Sequence, residues 1–371
     1  MELVVRKNDL LRELQLYQGI VERKNTIPVL ANVLIEAKGE EVWFLATDLE
    51  VALRSRCAAS VAKAGALTVP AKKLYEIVRA LPETDVRIHE EKGAVKVAAD
   101  RFDSRIQTLP LDDFPTLPGA TGQGSVTLPG TLLREMVEKI QFAMTSEDTR
   151  YYLNGALLVL HGPSMVLVAT DGHRLAHVSA TIPAATPDAA AEETRVILPK
   201  KTVWELGRLL AETDGEIHYE RGENHLFFTV GGRTLISRMI EGQFPAFERV
   251  IPKNNDKRVE FERERITNAI RRVSLLSNER SRAIKFEIEK EKVEVSSNSA
   301  EVGEAREELA ADFTGSPLQI CFNAQYVQDF LGVVKTDQVA MELKDEVSQA
   351  IMRPVGTLDY DYTYVLMPMR I

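Results

Sequence analysis

The chain has 371 residues, of which 44% are hydrophobic and 27% are charged, with a formal net charge of -9. This length predicts two or three domains, and the acidic balance argues against a molecule that grips nucleic acid with its whole surface. No apolar run approaches the ~20 residues of a membrane span, and the N-terminus lacks a signal-peptide pattern, so we expect a cytoplasmic protein.

The first predicted unit opens with an amphipathic helix in NDLLRELQLYQGIV, where Leu10, Leu14 and Tyr17 share one stripe and Asn8 is a candidate N-cap. Further along, LTVPAKKLYEIVRALPETDVRIHEEKGAVKV predicts a strand, a basic pair, a second helix, a turn and a strand pair. The Gly- and Pro-rich segment TLPGATGQGS, residues 116–125, is typical of a linker.

The same order of elements recurs twice more along the chain. The second unit opens with GTLLREMVEKI, contains the low-complexity loop 184–194, and continues with VILPKKTVWELGRLLAETDGEIHY. A polar linker, residues 251–258, leads to the third unit with ERITNAIRRVSLL and LQICFNAQYVQDFLGVV. The three units therefore indicate an internal repeat of helix, strands, helix and strands, in an α+β fold.

The apolar C-terminal segment TYVLMPMRI fits this repeat. Spacings of 45, 46 and 46 residues separate, in order, Pro70 from Pro115, Pro199 from Pro245, and Phe322 from Pro368. Because Pro368 matches the two earlier prolines, the segment is predicted to be the closing strand of the third unit.

Five motifs in order carry a family resemblance: TRYYLNG, ATDGHRLA, FPAFERVIPKN, LSNER and YVLMPMRI. With the threefold repeat, the chain resembles the bacterial DNA polymerase III β subunit family, the sliding clamps of replication. The resemblance implies three domains of the DNA clamp fold, 1–120, 121–252 and 253–371. Each would have two helices and two small antiparallel sheets, and two protomers would meet head to tail in a six-domain ring.

The resemblance also implies a function. The protein would be a non-catalytic processivity factor without cofactors, a homodimer that encircles double-stranded DNA without reading its sequence. Its other partners would be the replicative polymerase subunit, the clamp loader, and repair and translesion polymerases, which dock through short hydrophobic peptides. Its place would be the bacterial cytoplasm, at the nucleoid.

By the same resemblance, peptides would bind in a pocket between domains two and three. Its apolar walls would hold leucine or phenylalanine anchors, with arginines at the rim. Mapped by motif, the pocket residues are Leu153, Thr170, Gly172, His173, Arg174, Leu175, Pro245, Arg249, Val250, Val365, Leu366, Met367, Pro368, Met369 and Arg370.

Basic residues on the helices suggest how an acidic protein could hold DNA. Lys72 and Arg79 are seven residues apart, hence on one helix face, and Lys201 and Arg208 repeat this spacing. In a ring, these helix faces would line a positively charged channel. Their side chains would contact DNA phosphates and no bases, and salt would weaken these contacts. The predicted DNA-binding residues are Arg23, Lys24, Lys72, Arg79, Arg150, Lys200 and Lys201. For the dimer interface, the predicted residues are Leu275 and Leu276, facing Ile106.

Two other functions are compatible with parts of the sequence. Asp171, His173 and His177 could hold a metal ion in a hydrolase, but Arg174 follows the first histidine where zinc peptidases carry a glutamate base. A scaffold that binds partners without encircling DNA is the second alternative. Cys57 and Cys321 are predicted to be reduced core thiols, with no disulfide and no zinc site.

Overall fold

The computed structural model describes residues 1–21, 26–122, 125–145, 149–182, 193–213 and 215–370. Arg23, Lys24 and most of the loop 184–194 lie outside these residues. Within the described ranges, no helix combines the length and apolar composition required to cross a bilayer.

In the part of the first repeat that the structure describes, there are two α-helices and nine strands. In chain order they are β1 (Glu2–Arg6), α1 (Lys7–Tyr17), β2 (Asn32–Lys38), β3 (Glu41–Thr47), β4 (Val51–Ala58), β5 (Ser60–Lys63), β6 (Gly65–Pro70), α2 (Ala71–Ala80), β7 (Asp85–Glu91), β8 (Ala94–Ala99) and β9 (Phe102–Gln107).

The second and third repeats follow the same plan, which confirms the predicted order of elements. The second contains β10 (Val126–Pro129), α3 (Gly130–Ile140), β11 (Gly155–His161), β12 (Ser164–Thr170), β13 (Arg174–Thr181), β14 (Thr194–Pro199), α4 (Lys200–Ala211), β15 (Glu216–Arg221), β16 (His225–Val230) and β17 (Arg233–Arg238). The third contains β18 (Lys257–Glu262), α5 (Arg263–Ser274), β19 (Ala283–Glu289), β20 (Lys292–Ser299), β21 (Gly303–Ala310), β22 (Leu318–Asn323), α6 (Ala324–Val333), β23 (Gln338–Leu343), β24 (Ala350–Val355) and β25 (Tyr360–Leu366).

The helices form where the apolar spacing predicts them. In α2, Ala71, Leu74 and Val78 are buried at intervals of three and four residues, which is the stripe of a helix packed on one side. The prediction that Asn8 caps α1 is wrong, because α1 begins at Lys7 and its N-cap, Arg6, makes no side-chain cap bond. The strand β1 runs directly into the helix, and the backbone N–H of Lys7 donates to the carbonyl of Thr84 at 3.1 Å instead.

The described strands form four antiparallel sheets, and two of these combine strands of neighbouring repeats. One eight-stranded sheet has the order β10-β15-β16-β17-β4-β3-β2-β6, and the other has the order β14-β11-β12-β13-β25-β24-β23-β18. Repeats one and two are joined where β17 pairs with β4, and repeats two and three where β25 pairs with β13. The remaining sheets are β5-β1-β7-β8-β9 and β21-β20-β19-β22.

The described residues fold into two compact units, each built around one eight-stranded sheet. Unit 1 comprises residues 1–134 and 201–239, and unit 2 comprises residues 135–182, 193–200 and 240–370, apart from the gaps given above. The second repeat is therefore divided between the two units.

In unit 1, a buried ion pair ties α1 to the shared sheet. The guanidinium of Arg233 on β17 donates through Nε to Oε2 of Glu13 at 3.0 Å and through Nη2 to Oε1, and both side chains are 6% exposed. Glu13 outweighs the opposing effect of burial and raises the pKa of Arg233. The two hydrogen bonds link α1 to β17 and so hold the first two repeats together.

Both cysteines have free thiols. They are half-buried rather than central to a core. Burial raises the pKa of the Cys57 thiol to about 12, so this side chain has little thiolate at neutral pH.

Candidate functional site

One face of the eight-stranded sheet in unit 2 carries an apolar cluster. Its buried members come from both the second and the third repeat: Leu153, Leu157, Val159, Val168, Leu175, Ile197, Phe244, Phe247, Ile351 and Val365. Tyr152, Val166, Ile240 and Ile251 pack against it while partly exposed. This cluster is the floor of the candidate site.

The pairing of β13 with β25 brings two predicted motifs together. Leu175 lies opposite Val365, and Arg174 lies opposite Leu366. Beyond the strand, the backbone N–H of Met367 donates to the carbonyl of His173 at 3.0 Å. The segments DGHRL and YVLMPMR are thus neighbours, as predicted, although the closing strand ends at Leu366 and does not include residues 367–370.

A tight turn before β13 favours a glycine. Oδ1 of Asp171 accepts from the N–H of His173 at 3.0 Å and of Arg174 at 3.1 Å, and Gly172 adopts φ +88°. A Cβ at this position would also lie 3.0 Å from Nη2 of Arg150. A side chain here would therefore strain the backbone and push the end of the Arg150 side chain aside, and glycine avoids both.

The guanidinium of Arg174 serves the fold. It donates from Nε to Asp171 at 2.9 Å, from Nη2 to the carbonyl of Phe142 at 2.7 Å and from Nη1 to Asp329, and it lies 4.2 Å from the ring centroid of Tyr326. Burial lowers its pKa, but the neighbouring Tyr364 and the aspartates outweigh burial and raise the pKa. Arg174 therefore fixes the turn against α6, whereas Arg249 and Arg370 remain exposed at the rim.

The segment after β17 closes the cluster from another side. Phe247 lies in a 3₁₀ turn, is buried, and its ring centroid is 5.5 Å from that of His177. Burial, together with the charge of Arg353, lowers the pKa of His177. The imidazole thus forms part of an apolar wall.

The predicted pocket residues fall into three levels of exposure. Buried residues are Leu153, Leu175, Val365 and Leu366; half-buried residues are Thr170, Arg174, Pro245, Pro368 and Met369; exposed residues are Gly172, His173, Arg249, Val250, Met367 and Arg370. Among the exposed ones, Val250 (42%) and Met367 (44%) offer apolar surface beside the cluster. The prediction missed Phe247 within its own motif, and it missed Ile351, which no motif marks.

The predicted DNA-binding residues differ in how strongly neighbouring groups of the protein already engage their charged side chains. Lys72 and Arg79 lie on the exposed face of α2, with Nζ of Lys72 3.9 Å from Glu76 and the Arg79 guanidinium 5.3 Å from the ring centroid of Tyr75. Lys201 instead donates to the carbonyl of Ile20 at 2.9 Å and pairs with Asp48.

Two further predicted basic residues also have partners inside unit 2. Nζ of Lys200 donates to the carbonyl of Met144 at 3.2 Å, and burial lowers its pKa. Arg150 packs over Gly172. Among the predicted residues that the structure describes, Lys72 and Arg79 are therefore the best placed to meet a ligand phosphate.

The residues predicted for the dimer interface lie on or near two edge strands, each of which pairs with a neighbouring strand on one side only. In the described sheets, β9 is the last strand of one and β21 the last of the other. Ile106 on β9 is half-buried, and Leu275, at the end of α5, is 75% exposed. Leu276 is half-buried.

The alternative metal site is not assembled. His177 lies within β13, whereas His173 lies in the turn before it, so the four-residue helical spacing of zinc peptidases is absent. Asp171 is engaged by Arg174, and the described residues contain no cluster of three potential metal-binding side chains.

Comparison with known proteins covers the whole chain. Residues 1–118, 127–246 and 248–370 match the N-terminal, central and C-terminal domains of the DNA polymerase III beta subunit. The beta sliding clamp of Pseudomonas putida is 39% identical over 375 residues, and that of Escherichia coli K12 is 35% identical; both alignments cover 100% of each chain. The crystal structure of the sliding clamp of Pseudomonas aeruginosa bound to griselimycin has a TM-score of 0.93 at 38% identity, with both chains covered completely.

Proposed function

Since the chain belongs to the DNA polymerase III beta subunit family, the non-catalytic sliding clamps of replication, we propose that two copies close head to tail into a ring around duplex DNA. The three clamp domains would have boundaries near residues 120 and 252. As a replication factor, the protein would work in the bacterial cytoplasm, at the nucleoid. The two alternatives, a hydrolase and a non-ring scaffold, find no support among the relatives.

The strand pairing between repeats is the observation that carries the ring. Each repeat supplies two equivalent strands for its junctions: β4, β13 and β21 on one side, and β9, β17 and β25 on the other. Two of the three possible junctions form within the chain, β17 with β4 and β25 with β13. The third would pair β9 of one copy with β21 of the other, and a head-to-tail contact of this kind closes if the rotation closes.

Retention on closed DNA tests the ring. A labelled clamp, loaded with its clamp loader on a nicked circular plasmid, should co-elute with the DNA in gel filtration, even in salt that screens phosphate contacts. Linearising the plasmid should release it, because only topology holds it there. Equal retention on circular and linear DNA would instead support a conventional DNA-binding protein.

We further propose that the apolar cluster of unit 2 docks short peptides of the replicative polymerase, the clamp loader, and repair and translesion polymerases. Val250 and Met367 would contact a leucine or phenylalanine anchor over the buried floor, since exposed apolar surface beside a buried apolar cluster suits such anchors. Arg249 and Arg370 would meet the peptide's carbonyl or carboxylate groups.

The exposed pocket residues allow a test that spares the fold. Met367→Ala and Val250→Ala, alone and together, should weaken binding of a fluorescent polymerase-tail peptide by roughly tenfold for each large apolar side chain that is truncated. Val302→Ala is the matched control, because Val302 is an exposed valine of the same unit on the turn between β20 and β21, in the other sheet. If the double variant binds as tightly as the control, the pocket lies elsewhere.

A further inference from the structure

A second groove lies on the exposed face of the shared sheet in unit 1. Its volume is about 730 Å³, within the range of sites that bind small ligands or a few side chains. The lining residues are Leu34, Glu36, Lys38, Gly39, Glu40, Glu41, Trp43, Phe44, Leu45 and Arg54.

The strand ladders show that this groove corresponds to the apolar cluster of unit 2. In unit 1, one row of paired residues crosses β2, β3, β4 and β17 in the order Leu34, Leu45, Arg54 and Thr234. In unit 2, the equivalent row crosses β11, β12, β13 and β25 in the order Leu157, Val168, His177 and Thr363. The same face, at the same junction between repeats, therefore appears twice in the chain.

The two faces differ in what covers them. In unit 2, Leu157 and Val168 are only 2% and 0% exposed, and Phe247 packs into the same cluster. In unit 1, Leu34 and Leu45 are half-buried. Leu117 follows Pro115 by the same two residues as Phe247 follows Pro245, and it is a leucine where unit 2 has a phenylalanine.

The smaller size of Leu117 accounts for the open groove. Leu117 packs against Ala52, Phe227 and Ile236, which are the counterparts of Leu175, Ile351 and Val365 in unit 2. Leucine lacks the aromatic ring that Phe247 places 5.5 Å from the ring of His177, and Leu34 and Leu45 stay half-buried.

The polar groups of the groove indicate the charge of its occupant. Arg54 is half-buried between Leu45 and Thr234, and it makes no ion pair within the part of the chain that the structure describes. The other cation of the lining, Lys38, is exposed at the end of β2. Arg56, on the neighbouring strand β4, pairs with Glu41 at 3.1 Å and lies 5.0 Å from the ring centroid of Trp43. A half-buried, unpaired guanidinium favours a carboxylate partner.

We propose that this groove is a second docking site, for a linear peptide that has a leucine or phenylalanine anchor next to an acidic residue. The anchor lies over Leu34, Leu45 and the ring of Trp43, and the carboxylate pairs with Arg54. Glu36 and Glu40 lie toward the β2–β3 turn, away from Arg54. The acidic residue of the peptide therefore lies at the end of the groove that contains Arg54. The choice of anchor rests on the proposed function, because it is carried over from the equivalent face of unit 2.

Tryptophan emission gives a direct reading of this groove. The sequence contains two tryptophans, so Trp204→Phe leaves Trp43 as the only one. The probes are the capped tripeptides acetyl-Asp-Leu-Phe-amide, acetyl-Asn-Leu-Phe-amide and acetyl-Asp-Ala-Ala-amide. Met367→Ala and Val250→Ala are added to the reporter chain, so that docking in unit 2 does not contribute.

The acidic, apolar tripeptide should change the Trp43 emission saturably. The Asn control should bind roughly tenfold more weakly, and the Ala-Ala control, which lacks two large apolar side chains, roughly a hundredfold more weakly. Arg54→Gln should abolish the preference for Asp over Asn and preserve the response to Leu-Phe, whereas Arg238→Gln, at an exposed arginine of unit 1, should change neither. A preference for Asp that survives in Arg54→Gln would overturn the assignment of Arg54.

The remaining outcomes separate the two sites. If Trp43 does not respond at millimolar peptide, the groove proposal is overturned, and the titration of the fluorescent polymerase-tail peptide against the wild-type and Met367→Ala chains shows separately whether the site in unit 2 stands. If Trp43 responds while that titration shows no loss for Met367→Ala, the groove is supported and the peptide part of the proposed function fails. If the emission depends on protein concentration and not on peptide, a second copy occupies the groove and the peptide proposal is wrong.

Discussion

Leu49 and Gly172 occupy the same position of one turn in two repeats, yet only one of them is a glycine. In both turns an aspartate accepts two backbone N–H groups, at 2.9 and 2.7 Å for Asp48 and at 3.0 and 3.1 Å for Asp171. Leu49 consequently adopts φ +81°, close to the +88° of Gly172. A side chain in this conformation costs about 1–2 kcal/mol, so the first repeat carries backbone strain that the second avoids.

Replacing Leu49 by glycine should therefore stabilise unit 1. The relief of strain exceeds the added chain entropy of glycine, which is about 0.5–1 kcal/mol, and we expect a net gain of up to about 1 kcal/mol. Urea unfolding measures it. Leu49→Ala, which keeps a Cβ, should give no such gain, and a destabilised Leu49→Gly variant would show that the turn is not strained.

His177 should make stability depend on pH. Its pKa is lowered in the folded chain by burial, so the unfolded chain binds a proton more readily, from its ordinary pKa near 6.5 downward. Stability is thus fully present above about pH 6.5 and is lost as the pH falls through that value toward the lowered pKa.

The measurement is the urea midpoint between pH 7.5 and pH 5 for the wild-type chain and His177→Gln. The variant should lose less stability on acidification, because its side chain does not titrate. Burial also lowers the pKa of His225, so His225→Gln should change the pH profile in the same direction. Identical pH profiles for wild type and His177→Gln would contradict the burial of a neutral imidazole.

At the scale of the elements, local patterns predicted most of what the structure contains. Apolar stripes indicated the helices, and the repeat indicated the order of strands. The sharing of sheets between repeats was not predictable, because edge pairing leaves no local signature. Similarly, DGHRL and YVLMPMR marked two pocket walls, but no pattern links Arg174 to Asp329, which lies 155 residues further along the chain.

The ion pair of Glu13 and Arg233 should be the strongest single tie between α1 and the shared sheet of unit 1. Glu13→Ala leaves a buried guanidinium unpaired, which typically costs about 3–5 kcal/mol. Replacing both residues by apolar ones, Glu13→Leu with Arg233→Met, should recover most of this loss, since the buried charges are then gone.

The exposed pair of Arg12 and Glu212 provides the control. Their side chains are 55% and 42% exposed, with Nε 3.4 Å from Oε2, so Glu212→Ala should cost no more than about 1 kcal/mol. Urea unfolding measures the loss of stability in Glu13→Ala, in Glu13→Leu with Arg233→Met, and in Glu212→Ala. Equal losses for Glu13→Ala and Glu212→Ala would mean that burial of the first pair contributes little.

At the scale of the whole molecule, assembly should depend on Leu275. Leu275→Asp would place a charge in the proposed contact between copies, and we expect the dimer dissociation constant to rise by at least roughly tenfold. Analytical ultracentrifugation at sub-micromolar concentration should then show the 41.5 kDa chain mass instead of twice that value. Retention on circular DNA should disappear in parallel.

Val347→Asp is the matched control for this change, since Val347 is a similarly exposed hydrophobic residue on the turn between β23 and β24. It should leave both the mass and the DNA retention unchanged. A Leu275→Asp chain that remains dimeric would move the interface away from the end of α5.

The division of the second repeat between two sheets has a practical consequence. A fragment that contains only the second repeat would have two unpaired edge strands, β17 and β13. In the intact chain, β17 pairs with β4 and β13 pairs with β25. Such a fragment invites aggregation. The second repeat should therefore not fold as an isolated fragment.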